Sequence, residues 1–309
     1  MALHGLKDIT VGVPTVELTS EFYVDFGLSA GSAGALASTD GGQQLKLVPS
    51  AVRRLVGLTI RADDHDDLAH ITARASRHGV QAQLSQDGAS VQVTDPWAGI
   101  AVTVSICPRL LQPPAPELGS NGPGRVGRSG RADVVERASR VCPRRLGHCV
   151  LGSPYAEELI AFFTDVIGFQ VSDRVRGEGT FLRCSTDHHN LLINHAPVTF
   201  LHHTAWQVDD IDEVGRGAAA MIEADPSRHV WGFGRHCIGS NFFWYLRDPA
   251  GNFAEYYSDL DVIPEDTIWE PGIWEGARGL YLWGPPPPSS FIKPDDLADL
   301  MISGHSRSR

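Results

Sequence analysis

The feature that most constrains this chain is that it carries the same pattern twice. Residues 55–68, LVGLTIRADDHDDL, and residues 201–214, LHHTAWQVDDIDEV, each run an apolar strand into a double Asp and then a helical stretch. Asp63-Asp64 falls on Asp209-Asp210, an offset of 146 residues (209 − 63). LKDITVGVP (6–14) matches LGHCVLGSP (146–154), and SEFYVDFGL (20–28) matches IAFFTDVIGF (160–169). DPWAGIAVT (95–103) resembles DPAGNFAE (248–255). A repeat has to be settled first, because each copy must bury its apolar face alone or share it with its twin.

Each copy divides again. Strand-like periodicity covers 8–13 and 55–62, helical stretches cover 15–27 and 65–78, and short strands fill 33–49 and 80–106. The second copy repeats this with strands at 146–151, 169–194, 201–208 and 227–257 and helices at 155–167 and 211–223. Ser153-Pro154 and Asp210 stand where helices should begin. The expected fold is α+β, two tandem domains, each of two βαβββ modules. The expected domains are 1–107 and 144–262. Residues 108–143, rich in Pro, Gly and Arg, read as a linker with one short helix near 131–140. Residues 263–309 read as an extended tail packed by Trp269, Trp274 and Trp283, with a frayed end over 303–309.

Composition mainly excludes. The 309 residues suit about two domains. The formal net charge of -11 gives no general affinity for phosphate backbones, so no nucleic-acid partner is expected. No apolar run approaches a membrane span, and MALHGLKDIT is not a signal peptide. The five cysteines form no CxxC pair, which fits free thiols and a cytoplasmic location. The tail tryptophans and the unused first-copy face are plausible contact surfaces for a homo-oligomer.

Duplication also allows a difference test. His148 stands where the first copy has Asp8, His203 where it has Gly57, and Glu255 where it has Thr103. A buried imidazole or carboxylate costs several kcal/mol unless it is paired or bound to metal. Three such residues in equivalent strands of one copy suggest one shared centre. Two His and a carboxylate form the facial set that leaves positions open on a divalent ion, Fe(II) or Mn(II).

At these residues a resemblance appears. The motifs LGHCVL (146–151), HHNLLI (188–193), LHHTAWQV (201–208) and GRHCIGSNFFWYLRDPAGNFAEYYSD (234–259) resemble the type I extradiol ring-cleavage dioxygenases of the vicinal oxygen chelate superfamily, which act on catechols and dihydroxybiphenyls. The last motif is the most specific: His, nine residues to Tyr, ten more to Glu. The resemblance spans about 5–262 and implies a first domain without metal. It implies metal ligands His148, His203 and Glu255, with Fe(II) expected and Mn(II) compatible. It implies His189 as the acid/base group, and His236 and Tyr245 as catalytic hydrogen-bonding groups for the bound catecholate, with O2 as co-substrate. Strand alternation puts only one of His202 and His203 on the inner face, so His202 is expected at the surface or in the layer behind the ligands, and His188 is expected to be turned elsewhere.

Trp231, Phe233, Asn241 and Phe181 are the expected substrate-binding residues, and Trp206 is expected in the core. Trp231 occupies a place where relatives with carboxylated substrates carry a basic residue, which suggests a hydrophobic substituent. Two alternatives stay open. One is a non-oxidative enzyme such as a glyoxalase-like isomerase or epimerase, which takes ligands from both modules, commonly four of them, where this chain shows three. The other is a small-molecule binding or resistance protein, which has no use for an acid/base His.

Overall fold

The computed structural model describes residues 3–117 and 119–306. In the first copy, β1 (Leu3–Val13), α1 (Val16–Asp25), β2 (Ser29–Ala30), β3 (Ala35–Ser38) and β4 (Gly42–Pro49) form one module. β5 (Arg54–Ala62), α2 (His65–Arg77), β6 (Ala82–Leu84), β7 (Ser90–Thr94) and β8 (Ala101–Ile106) form the next. Between the copies, among the described residues, the one named element is α3 (Asp133–Glu136), inside the stretch where a short helix was expected.

The second copy repeats the order. Its first module holds β9 (Arg145–Ser153), α4 (Ala156–Ala161) with a π-helical turn at Phe162–Ile167, β10 (Gln170–Val175), β11 (Gly179–Arg183) and β12 (Leu191–His195). Its second holds β13 (Phe200–Gln207), α5 (Ile211–Ala224), β14 (His229–Arg235), β15 (Phe242–Arg247) and β16 (Phe253–Ser258). Asp210 caps α5, accepting from the Glu213 amide at 2.9 Å, and Asp64 caps α2 in the same way.

Each copy folds into one sheet, ordered β2-β3-β4-β1-β5-β8-β7-β6 in the first and β14-β15-β16-β13-β9-β12-β11-β10 in the second. The opening strands of the two modules pair antiparallel at the centre, and each is flanked by the parallel closing strand of its own module. The register puts the two copies in step: Asp8, Thr59 and Thr103 lie side by side in the first, and His148, Ala205 and Glu255 in the second.

α1 covers the back of the second sheet. Phe26 stacks on Tyr256 with centroids 3.8 Å apart, and the Tyr256 hydroxyl donates to the Phe26 carbonyl at 2.6 Å. Tyr23 and Trp206 share the Thr204 hydroxyl, each at 3.0 Å, so Trp206 is a core residue.

The tail is more structured than an extended strap. β17 (Gly272–Trp274) adds a ninth strand beside β10. α6 (Ser289–Ile292) and α7 (Leu297–Ser306) follow. Residues 303–306, expected to fray, complete α7, and 307–309 lie outside the described residues. Arg53 ties the tail back to the first copy, pairing with Asp296 at 2.7 Å. The tail crosses the front of the second sheet with Leu280 and Phe291, opposite the face that α1 covers. No helix among the described residues is long and apolar enough to cross a membrane.

Candidate metal centre and active-site cavity

His148 on β9, His203 on β13 and Glu255 on β16 come from three adjacent strands. One candidate ligand atom from each lies within 4.8 Å of the others. Glu255 Oε2 is 3.2 Å from His148 Nε2 and 3.5 Å from His203 Nε2. All three side chains are buried, Glu255 completely. Both Glu255 Oε2 and His203 Nε2 lack a hydrogen-bond partner. Buried polar atoms are nearly always satisfied, so two orphans facing each other mark a place for a bound cation. The N2O donor set suits Fe(II) or Mn(II). Gly147 lets Tyr257 approach beside His148, since a Cβ there would overlap the Tyr257 hydroxyl.

The next layer orients these atoms. The Asn241 amide donates to Glu255 Oε1 at 3.1 Å. His202 Nε2 donates to the Phe291 carbonyl at 2.7 Å, and its Nδ1 meets His203 Nδ1 at 2.7 Å. Burial pushes the His202 pKa down to about 4, so the ring is neutral at pH 7. A carbonyl can only accept, so His202 Nδ1 is bare and His203 Nδ1–H donates to it. The His203 Nε2 lone pair is then aimed at the cluster, as a ligating imidazole requires. His202 thus lies in the layer behind the ligand, one of its two expected places, and a β-bulge between Leu201 and His203 brings it to the same side of the strand as His203.

The cavity above the cluster measures about 490 Å³. His148, His189, His203, His236 and Tyr245 form its polar floor. The His189 ring lies between His148 and Phe181, with centroids at 4.2 and 5.0 Å. Burial and the neighbouring imidazoles hold its pKa well below the usual histidine range. His236 Nδ1 donates to the Leu280 carbonyl, leaving Nε2 to accept from the Tyr245 hydroxyl at 2.9 Å. Burial, reinforced by Glu255, keeps the Tyr245 phenol protonated.

The walls are largely apolar: Val150, Val175, Phe181, Leu192, Ile238 and Phe291. Three of the expected substrate contacts are not among the lining residues. Trp231 is buried behind Tyr245, stacked at 5.6 Å, with its indole donating to the Pro285 carbonyl. Phe233 packs on Phe242 and Trp283. Asn241 holds Glu255. Trp231 pairs with Tyr245 and shares its face of the sheet, but Tyr245, His236 and Phe291 stand between it and the cavity, whereas Phe233 sits at the register irregularity between Gly232 and Gly234. Sequence reasoning missed the strand residues Val150, Val175, Leu192 and Ile238 and the tail residues Leu280, Phe291 and Ile292, whose only visible mark is apolar character.

Paired βαβββ modules around a buried group of two His and one Glu define a metal-site fold class, and the comparisons agree. The model of the Glyoxalase/Bleomycin resistance protein/Dioxygenase superfamily matches residues 145–256. Metapyrocatechase 2 of Cupriavidus necator is 30% identical over 94% of this chain and 92% of its own length. Homoprotocatechuate 2,3-dioxygenase of Arthrobacter globiformis shares the fold at 18% identity, with a TM-score of 0.74 over 94% of this chain and 91% of that one. A Mn(II)-bound glyoxalase of Novosphingobium aromaticivorans does so at 23% identity, with a TM-score of 0.71 over 94% of each chain. The chain belongs to the extradiol catechol dioxygenase family within that superfamily.

Proposed function

We propose that this protein opens the ring of a catechol bearing a neutral hydrophobic or second-ring substituent, using O2 and cutting beside the two hydroxyls. The observation that carries the reading is the convergence of His148, His203 and Glu255 below a cavity floored by His189, His236 and Tyr245. His148, His203 and Glu255 hold the metal, for which Fe(II) is the first choice and Mn(II) the second. An ion held by these three residues would supply coordination for the catechol oxygens and O2 and a path for electron density between them.

The protein's own groups divide the remaining work. His189, neutral in its buried site, accepts a proton as the catechol binds and returns it to reduced oxygen later. Tyr245 stays a phenol whose single O–H rests on His236 Nε2 and turns to a catecholate oxygen when substrate binds. Asn241 steadies Glu255 from behind. The apolar walls exclude water and accept the ring substituent. Among the described lining residues none is Lys or Arg, which disfavours a carboxylated substrate.

The test loads the protein with Fe(II) without air, then adds catechols and O2. The expected result is O2 uptake and a yellow ring-opened product with alkyl- or aryl-substituted catechols. Both should be lost in His203→Ala and Glu255→Gln. No uptake and no colour across a broad panel sinks the reading.

A further inference from the structure

Behind His189, on the side away from the cluster, lie two buried polar side chains that the proposed reaction does not use. Asp173 on β10 is 4% exposed and His188 is 1% exposed. His188 Nε2 is 3.3 Å from Asp173 Oδ2, and His188 Nδ1 is 3.1 Å from His189 Nδ1. The other carboxylate oxygen, Asp173 Oδ1, accepts from the Gly272 amide of β17 at 2.6 Å. Trp269 packs edge-on to His188 at 5.8 Å, and its indole donates to the Ser172 carbonyl at 2.7 Å. Asp173 and His188 are therefore both held against the tail. A buried carboxylate facing an imidazole is costly to keep, and the strand pairing at Gly272 needs only one of its two oxygens.

We propose that Asp173 and His188 are positioning residues that determine which nitrogen of His189 carries its proton. This rests on the reading of His189 as the acid/base group. With Asp173 as acceptor and one N–H on each ring, the two contacts allow one pattern. Asp173 can only accept, so His188 is protonated at Nε2 and bare at Nδ1. That bare nitrogen accepts from His189 Nδ1–H. His189 Nε2, on the cavity side, is then the free base. The protein presents a proton acceptor to the catechol before any proton has moved.

An isosteric change inverts the pattern. In Asp173→Asn the oxygen still has to accept from Gly272, so the amide NH2 faces His188. His188 Nε2 must then be bare, Nδ1–H donates to His189 Nδ1, and His189 carries its proton on Nε2, facing the cavity. A role confined to holding β17 is untouched by this substitution.

The test reads ring nitrogens by ¹⁵N-histidine NMR in the full chain loaded with diamagnetic Zn(II), and kcat and KM in the Fe(II)-loaded chain. Expected in the parent protein are His188 protonated at Nε2 and His189 at Nδ1. In Asp173→Asn both invert and kcat falls on the order of 10²-fold or more, with metal content and KM little changed. The proposal is overturned by a parent His189 protonated at Nε2, by unchanged tautomers in the folded variant, or by inverted tautomers with unaltered kcat. The parent spectrum decides even if the variant does not fold. Correct tautomers without turnover of any catechol would instead reject the ring-cleavage reading.

Discussion

The two copies share strand order and register yet differ in how much water they exclude. In the first, β5 and β8 alternate buried and half-buried positions, because one face of the sheet is only partly covered. In the second, β13 and β16 are buried on both faces, by α1 behind and the tail in front. At the same places Asp8 and Thr59 form a half-buried hydrogen bond of 2.8 Å, whereas His148 and Glu255 are sealed. The difference teaches that three polar residues become a metal-ready centre only where a cover removes solvent and a surrounding layer of hydrogen bonds aims their lone pairs.

The sharpest way to break this comparison is to make matched changes. Glu255→Gln should lower turnover on the order of 10³-fold or more and reduce metal content, as loss of a several-kcal/mol interaction requires. Thr103→Ala, its counterpart, should alter neither. Equal effects on kcat and metal content would erase the distinction between the copies.

Removing the cover comes next. Phe291 packs on His202, Tyr245, Phe253 and Trp231. Phe291→Ala should cost about 3–5 kcal/mol in urea unfolding and raise KM. A change below about 1 kcal/mol would mean that the tail is not part of the folded unit.

The third effect depends on pH. A histidine whose folded pKa is about 4 binds fewer protons folded than unfolded. Its contribution is complete above the unfolded value near 6.5 and is lost as pH falls toward 4. His202 alone should remove about 3 kcal/mol over that window. Unfolding midpoints should fall between pH 6.5 and 4, and less steeply in His202→Gln.

The smallest effect lies between the copies. Tyr256→Phe deletes the hydrogen bond to Phe26 but keeps the stack, so it should cost about 1 kcal/mol in thermal or urea unfolding, with kcat unchanged. A loss of turnover would place the interface inside the catalytic machinery.

Much of this was legible. The double Asp and the apolar strands mark four modules, and the difference test selects His148, His203 and Glu255, which meet across adjacent strands. Strand alternation puts only one of His202 and His203 on the inner face, yet both line the cavity, because a bulge cannot be read from an unbroken LHHTAWQ. Aromatic character also misled at Trp231 and Phe233, because it suits a cavity wall and the packing layer around that wall equally well. Phe291 carries no local mark of its place over His203.

The sequence by itself determined the modules, their pairing and the identity of the three central side chains. These follow from periodicity within a strand or helix and from duplication, both of which act over short stretches of chain. Only the tertiary structure decided which face is sealed, which nitrogens hold protons and what lines the cavity. Those depend on contacts between distant residues: His202 with Phe291, 89 positions apart, Asp173 with Gly272, 99 apart, and Arg53 with Asp296, 243 apart. No local pattern encodes such pairs, because their energy exists only once the intervening chain has folded.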